Sequence, residues 1–401
     1  MGLTTGAAGS PPDAEAIKSL FELTDDLVDR EIRPAAAAAE ELGRFPREVF
    51  ATIGRAGLLG LPYPEEYGGA GLPYETYLRV VEKLAEGWLT IGLGVSVHTL
   101  ACFPIATRGD AAQRERWLPA MLGGDLLGAY CLSEPGSGSD AAALDTRAAR
   151  EADGYVIDGV KAWITHGGQA DFYTLFARTS GDSHGPDRAR GISCLHVPAD
   201  VPGVSAGPPE HKMGMRASTT SQMMFERARV PAQHLIGDEG SGFKIALAAL
   251  DSGRLGIAAC STGLAQAALD LAVNYAHERR QFGKPIAEFQ GLSFMLADMA
   301  TAVEAARALY RSAARRKDAG EPFGAQAAMA KLFASDTAMR VTTDAVQVLG
   351  GYGYVADFPA ERYMREAKML QIVEGTNQVQ RLVIGRALGS RRAAWPHNPR
   401  S

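Results

Sequence analysis

The sequence predicts an α+β fold in three parts: an N-terminal all-helical domain, a small β-sheet domain, and a C-terminal antiparallel four-helix bundle. Three observations predict it. Apolar residues recur at helical spacing through the first ~125 residues. A region of short apolar runs punctuated by Gly, Pro and Ser follows. Beyond Gly240 and Gly242 the helical period returns and persists. The expected boundaries are 1–127, with 1–12 a disordered lead, then 128–237 and 238–401.

In the first part, Asp13 after Pro11–Pro12 reads as an N-cap. Ile17, Leu20, Phe21, Leu27 and Val28 form the apolar face of the helix it opens, and Pro34 is expected to end or kink it. Phe50, Ile53 and Leu58 mark a second helix, closed by the turn-rich segment Pro62–Pro73. Tyr74–Leu100 reads as helical, with Val80, Val81 and Leu84 on one face. Ala111–Leu122 is a shorter helix capped by Asp110.

The middle part opens with a buried strand at Gly128–Leu132. Asp153–Gly154 and Asp158–Gly159 are turn dipeptides around Tyr155–Ile157, a hairpin signal. Phe172–Phe176, Ile192–Val197 and Met223–Phe225 are further short strands. In the last part Leu247–His277, Phe289–Lys317 and Ala325–Leu349 are long helices, and a final helix runs from Thr376 to Ala387. Their excess apolar surface points to subunit contacts.

Composition narrows the function classes. The chain has 401 residues, 46% hydrophobic and 22% charged, which suits a soluble globular protein of two or three domains. A net charge of −5 argues against a nucleic-acid or anionic-membrane surface. Cys102, Cys131, Cys194 and Cys260 are widely spaced, so neither a zinc site nor a disulfide framework is expected. Reduced thiols and the absence of a basic n-region before an apolar core point to a cytoplasmic protein. No apolar run reaches the ~18 residues of a membrane span.

Five stretches carry candidate chemistry. Glu374, in QIVEGTNQVQ, lies between Ile372–Val373 and Gly375, just before a helix start at Thr376. Apolar surroundings raise a carboxylate's pKa toward the range of a general base. The same glutamate is equally an ordinary helix N-terminal residue. Tyr130–Asp140 (YCLSEPGSGSD) delivers Ser133 and then a glycine loop able to hold an anion or a polar ring edge. It has no Walker lysine and no GxGxxG motif, and read alone it is equally a Gly-Ser turn. Trp163–Ile164–Thr165–His166 pairs an aromatic surface with a hydroxyl, suited to a flat heterocycle or to a core edge. ERRQFG offers Arg279 to a phosphate and Phe282 to an adenine, or is a solvated helix end. QVLGGYG lets backbone approach a ligand, or is a glycine helix stop.

Taken together, LSEPGSGSD, KAWIT, KMGMRAS, LDSGR, ERRQFGKPIAEFQ, QVLGGYG and VEGTNQ, in this order, resemble the acyl-CoA dehydrogenases. The resemblance runs from about Ile17 to Leu388. It implies the acyl-CoA dehydrogenase fold, with FAD bound between the β-domain and the C-terminal bundle and no metal. On that pattern Tyr130, Leu132, Ser133, Gly138 and Ser139 line the isoalloxazine and pyrophosphate. Trp163, Ile164 and Thr165 lie against the flavin, the Thr165 hydroxyl near N5. Arg279, Gln281 and Phe282 hold the adenosine diphosphate half, with Gln290 nearby. Gln347, Gly350 and Gly351 reach a neighbouring subunit's FAD, and Thr376 and Gln378 complete the cofactor contacts. Ser139, Asp251, Arg254, Gly375 and Arg386 match positions at the CoA thioester.

The resemblance makes Glu374 the base that removes the thioester α-proton while the β-hydride passes to flavin N5, giving a trans-2-enoyl thioester. The backbone N–H of the base residue helps hold the thioester carbonyl, an oxyanion device worth ~3–4 kcal/mol per donor. It further implies a homotetramer and electron transfer to an electron-transfer flavoprotein. Some relatives carry the base just before the Arg of the LDSGR-like motif; here that position is Gly253, which leaves Glu374. Ser133 replaces a more usual Thr. His166 is read as a satisfied edge histidine rather than a group tuning the flavin, and Asn377 as a residue narrowing the acyl pocket. LDSGRLGIAA with GLAQAALDLA looks closest to short-chain and short-branched-chain members, so a short saturated acyl-CoA is the expected substrate. A carrier-protein thioester dehydrogenase, an oxidase, and a non-catalytic subunit of a mixed oligomer are the alternatives.

Overall fold

The computed structural model describes residues 14–185 and 187–389. The cap expected at Asp13 and the lead before it lie outside the described residues. Helix α1 (Ala14–Leu27) passes through a π-helical turn (Val28–Ile32) into α2 (Arg33–Leu42). Pro34 therefore does not end the helix. It sits in the first turn of α2, where its missing N–H costs least, and the wide turn before it gives its ring room.

Helices α3 (Arg47–Arg55), α4 (Tyr74–Gly87), α5 (Leu89–Arg108) and α6 (Ala111–Leu122) complete the first part. The single helix expected over Tyr74–Leu100 is broken at Trp88, whose backbone is extended at φ −162° and ψ 115°. There the indole N–H donates to the buried Glu40 carboxylate at 2.8 Å. The other Glu40 oxygen accepts from the backbone N–H of Arg216, tying the helices to the middle part. Asp110 caps α6 in a reciprocal capping box with Gln113, as its sequence predicts.

The middle part is one sheet of β1 (Gly128–Cys131), β2 (Arg147–Arg150), β3 (Gly154–Thr165), β4 (Phe172–Arg178), β5 (Ile192–Pro198), β6 (Val204–Ala206), β7 (Thr220–Pro231) and β8 (Leu235–Ile236). Its order is β6-β7-β3-β2-β4-β5-β8, with β1 parallel to β4. Asp153–Gly154 lies at the β2–β3 turn, but Asp158–Gly159 does not turn the chain. It forms a bulge inside β3, marked by the register shift between Ile157 and Gly159 against β7.

The last part contains α7 (Gly242–Glu278), the small hairpin β9 (Arg280–Gln281) and β10 (Lys284–Pro285), then α8 (Gln290–Asp318) and α9 (Gly324–Leu349). The short α10 (Gly351–Tyr354), α11 (Ala360–Leu370) and α12 (Asn377–Gly389) follow. Helices α7, α8 and α9 pack on one another, with α11 and α12 against α9 and α4 against α7. Neither α10 nor α11 is expected from the sequence: α10 is a single glycine-rich turn, and in α11 the charged Glu366 sits on the buried face with Ala360, Tyr363, Ala367 and Leu370. Helices α5 and α7 are each long and apolar enough to span a membrane, contrary to the sequence expectation. Neutral Gly, Ser and Thr extend their apolar runs, and 89% and 78% of the respective windows is buried inside the protein.

Glu366 on α11 is 1% exposed, and neither carboxylate oxygen has a hydrogen-bond partner. Arg362 Nε, at 3.7 Å, lies outside hydrogen-bond range and offsets only part of the desolvation, so burial pushes the Glu366 pKa up to about 8. A carboxyl whose folded pKa lies above its unfolded value binds more protons in the native state. Stability then falls as pH rises from the ordinary value of 4.5 through about 8. Glu366→Gln is expected to raise Tm by ~3 °C or more at pH 9 and to change it little at pH 5. Thermal melts at the two pH values check this.

Candidate active site

Helix α11 ends at Leu370, and six residues later Thr376 starts α12, its hydroxyl accepting from Val379 N–H at 3.2 Å. Between them Glu374 (φ 51°) and Gly375 (φ 88°) are consecutive left-handed residues. That conformation is costly for a glutamate. The loop is held from α9: Lys331 Nζ donates to Gly375 O at 3.0 Å and to Asn377 Oδ1 at 2.8 Å. Asn377 Nδ2 and Gln371 Nε2 both donate to Asp336 Oδ1 at 2.7 Å. Asn377 thus turns into the bundle and does not narrow the pocket as expected, because Lys331, Ser335 and Asp336 satisfy its amide there.

Both Glu374 carboxylate oxygens are shielded from solvent and have no hydrogen-bond partner. Burial pushes the Glu374 pKa up to about 7, with Lys331 and then Arg254 pulling against it. Its backbone N–H has no acceptor among the described residues. Oε2 lies over α7, where a Cβ on Gly253 would fall 1.9 Å away. Positions 374 and 253 therefore face the same point in space, and the missing side chain of Gly253 is what makes room for the carboxylate.

A cavity of about 210 Å³ reaches α7 at Ser252 and Gly253. Tyr74, Ser96, Thr99, Phe103, Ser252 and Lys317 are among its lining residues. Sequence reasoning missed these because four separate helices contribute them. The one signal was a pair of hydroxyls, Ser96 and Thr99, three residues apart in the mostly apolar middle of α5. Next to Gly253 in the chain, Arg254 is buried and ion-paired with Asp251, with its Nε left without a partner among the described residues. Arg386, expected beside them, is exposed on α12 and shares no hydrogen bond or ion pair with either.

The other predicted residues fall into two groups. Near Glu374, the loop after β1 is braced to β3: the buried Lys161 Nζ donates to Glu134 Oε1 at 2.8 Å and Leu132 O at 3.0 Å, and Ala162 N–H to Ser133 O at 2.9 Å. This sets Ser133 against Ala162, the neighbour of Trp163 in β3, and Gly138 and Ser139 continue the same loop. Trp163 stands at a second bulge of β3, at φ 62°, with 64% of its surface exposed. Leu132 is buried, Tyr130 OH donates to Ala246 O at 3.3 Å, and Ile164 points into the sheet core, leaving only its backbone to a ligand. His166 is a core histidine rather than an edge one. Its Nδ1 bonds Gly128 O at 3.0 Å, its ring abuts Phe45 and Phe50, and burial lowers its pKa to about 4.

The second group gathers at the far end of α7. Arg279 stacks over Tyr352 at 5.8 Å, joining ERRQFG to QVLGGYG. Gln281, Gln290, Gln347, Gly350 and Gly351 are exposed, and Phe282 is 94% exposed. At ~1.5 Å per residue, Arg279 lies about 39 Å along α7 from Gly253. The chain does not bring the two groups together. Gln378 is exposed at the start of α12.

Three family models match the chain in order: the acyl-CoA dehydrogenase N-terminal domain at 14–125, middle domain at 129–228 and C-terminal domain at 240–389. The acyl-CoA dehydrogenase of Bacillus subtilis (strain 168) is 45% identical over 369 residues, 92% of this chain and 96% of that protein. The mitochondrial short-chain specific acyl-CoA dehydrogenase of Rattus norvegicus is 43% identical over 92% of this chain and 89% of its own. Among solved structures, butyryl-CoA dehydrogenase from Megasphaera elsdenii superposes with a TM-score of 0.91 at 40% identity, covering 95% and 100% of the two chains. A chain from the structural study of the electron transferring flavoprotein of Acidaminococcus fermentans gives 0.91 at 42% identity, covering 95% and 99%.

Proposed function

The chain belongs to the acyl-CoA dehydrogenase family, and on that premise we propose that it converts a short-chain acyl-CoA to its trans-2-enoyl-CoA with Glu374 as the base. One observation carries the reading: the Glu374 carboxylate lies desolvated and unpartnered over the bare Gly253, beside a cavity of about 210 Å³. What sets Glu374 apart from the equally unpartnered Glu366 is the space cleared for its carboxylate at Gly253, in the wall of the cavity. A base must keep its oxygens free for the proton it takes.

The work of this chain is to hold, orient and deprotonate. The thioester carbonyl takes the free backbone N–H of Glu374, which stabilises the enolate-like charge as the α-proton leaves for the carboxylate. Asp251 and Arg254 border the path of the CoA arm. A cavity near 150 Å³ holds a benzene ring, so the volume here suits a chain of few carbons.

The residues present fit FAD. An exposed Trp163 indole on the strand that also carries Thr165 and is tied to Ser133, with open space at Gly138 in the Ser133–Ser139 loop, offers a flat face and polar groups. FAD, when bound, supplies the acceptor for the β-hydride. Arg279, Gln281, Phe282, Gln290, Gln347, Gly350 and Gly351, too far along α7 to serve the same cofactor, would hold the FAD of a second subunit, which makes the working form an oligomer. We infer a homotetramer that passes electrons to an electron-transfer flavoprotein, in keeping with the likeness to the Acidaminococcus chain.

Anaerobic titration of the yellow enzyme with saturated acyl-CoAs of increasing length tests the proposal. Flavin bleaching strongest with chains of about four to six carbons supports it, and activity climbing steadily toward long chains overturns it. The free-enzyme profile of kcat/KM should rise with pH through about 7 and level off above, because only the ionised Glu374 accepts a proton.

A further inference from the structure

We propose that Lys331 is a positioning residue for this reaction: from α9 its ammonium holds the left-handed Glu374–Gly375 turn and sets a positive charge near the base. The inference rests on Glu374 being the base. Lys331 is fully buried, yet among the described residues it has no ion-pair partner within reach. Its hydrogen-bond acceptors are neutral, Gly375 O and Asn377 Oδ1. Burying an ammonium without a counter-ion is expensive. Burial accordingly pulls the Lys331 pKa down to about 8, and the negative charges that oppose the loss of its proton are first the Glu374 carboxylate, itself buried and unpartnered, and then Asp336.

The geometry around Lys331 is specific. Asn377 Nδ2 is committed to Asp336 and Ser335, so its Oδ1 is turned to Lys331. Gly375 O accepts from Lys331 on one side and from Gln380 Nε2 at 2.8 Å on the other. These two donors clamp the carbonyl between the base and α12. A glutamate does not favour φ 51° by itself, so the turn depends on such contacts from outside the loop.

The groups facing Glu374 come from four elements. Tyr74 and Tyr77 on α4, Tyr130 on β1 and Cys260 on α7 are neutral, their pKa values raised by burial. Arg254 on α7 and Lys331 on α9 are the cations, with Asp336 on α9 beside Lys331. Of these charged groups Lys331 is the one that donates to the backbone of the loop carrying the base; the uncharged Gln380 is the other donor.

The test uses the flavin-loaded enzyme with its best short-chain acyl-CoA. Lys331→Met should lower kcat/KM at pH 7 by about 10–100-fold and move the acid limb of the pH profile to higher pH, because losing a nearby cation favours the protonated carboxyl. Part of the loss should then return at pH 9. Lys331→Gln, which keeps a donor toward Gly375 O, should move the limb equally, and Lys331→Arg should leave it near the wild-type position. A loss that is uniform with pH and leaves the limb in place overturns the proposal, as does a limb that moves as far in the arginine variant. Glu374→Gln separates the two levels. Turnover surviving in that variant removes the base assignment itself, whereas a silent Glu374→Gln beside an unmoved Lys331→Met limb removes only the role of Lys331.

Discussion

Glu374→Gln is expected to keep its fold and its yellow colour and to lose turnover by about 10²–10⁴-fold, the range a positioned base contributes. Glutamine has nearly the same shape, so the loop, the Lys331 clamp and the cavity remain. What disappears is the group that receives the α-proton. The same substitution should stabilise the protein at alkaline pH. The Glu374 pKa is raised from 4.5 to about 7, so ionising it opposes folding as pH rises through that window, and a neutral amide removes the penalty. A variant that is less active and melts higher at pH 8, though not at pH 5, is the signature of a carboxylate kept desolvated for chemistry. Turnover within tenfold of wild type would mean the base lies elsewhere.

Gly253→Ala is expected to separate activity from stability in the same direction by another route. In the interior of α7, alanine is favoured over glycine by ~1 kcal/mol. Its methyl would nevertheless fall 1.9 Å from Glu374 Oε2 and 2.9 Å from Cδ. The carboxylate is the far end of a flexible side chain, so it moves aside at small cost to the fold. It moves away from the substrate, and a displacement near 1 Å costs about 10²-fold in rate. Unchanged flavin content and a Tm equal to or above that of the wild type, with kcat reduced by ~10–100-fold, is the expected outcome. Undiminished kcat would show that the carboxylate does not act at this point.

These effects follow from contacts that differ in how far they are legible in the chain. The helices α6, α7 and α9 can be read to within a few residues because period and caps are local properties. So can the loop of Tyr130–Asp140 and the Glu374 segment, whose chemistry sits in contiguous strings. The break at Trp88 could not be read this way, since it answers to Glu40 on another helix. Nor could the bulge at Asp158–Gly159, which a turn dipeptide disguises and only the β7 register reveals.

For the site, the sequence by itself determined the three-part fold, the family, and Glu374 as the candidate base with a glycine at the competing position 253. The tertiary structure alone decided the rest. It showed that 253 and 374 meet at one point, that Asn377 turns away from the pocket toward Lys331, and that His166 belongs to the core. It also divided the expected cofactor residues between two distant ends of α7. The physical reason is common to all of these. Each depends on side chains brought together from separate elements, where burial and the demand of buried polar groups for partners decide which way a residue faces, and neither quantity exists until the chain has folded.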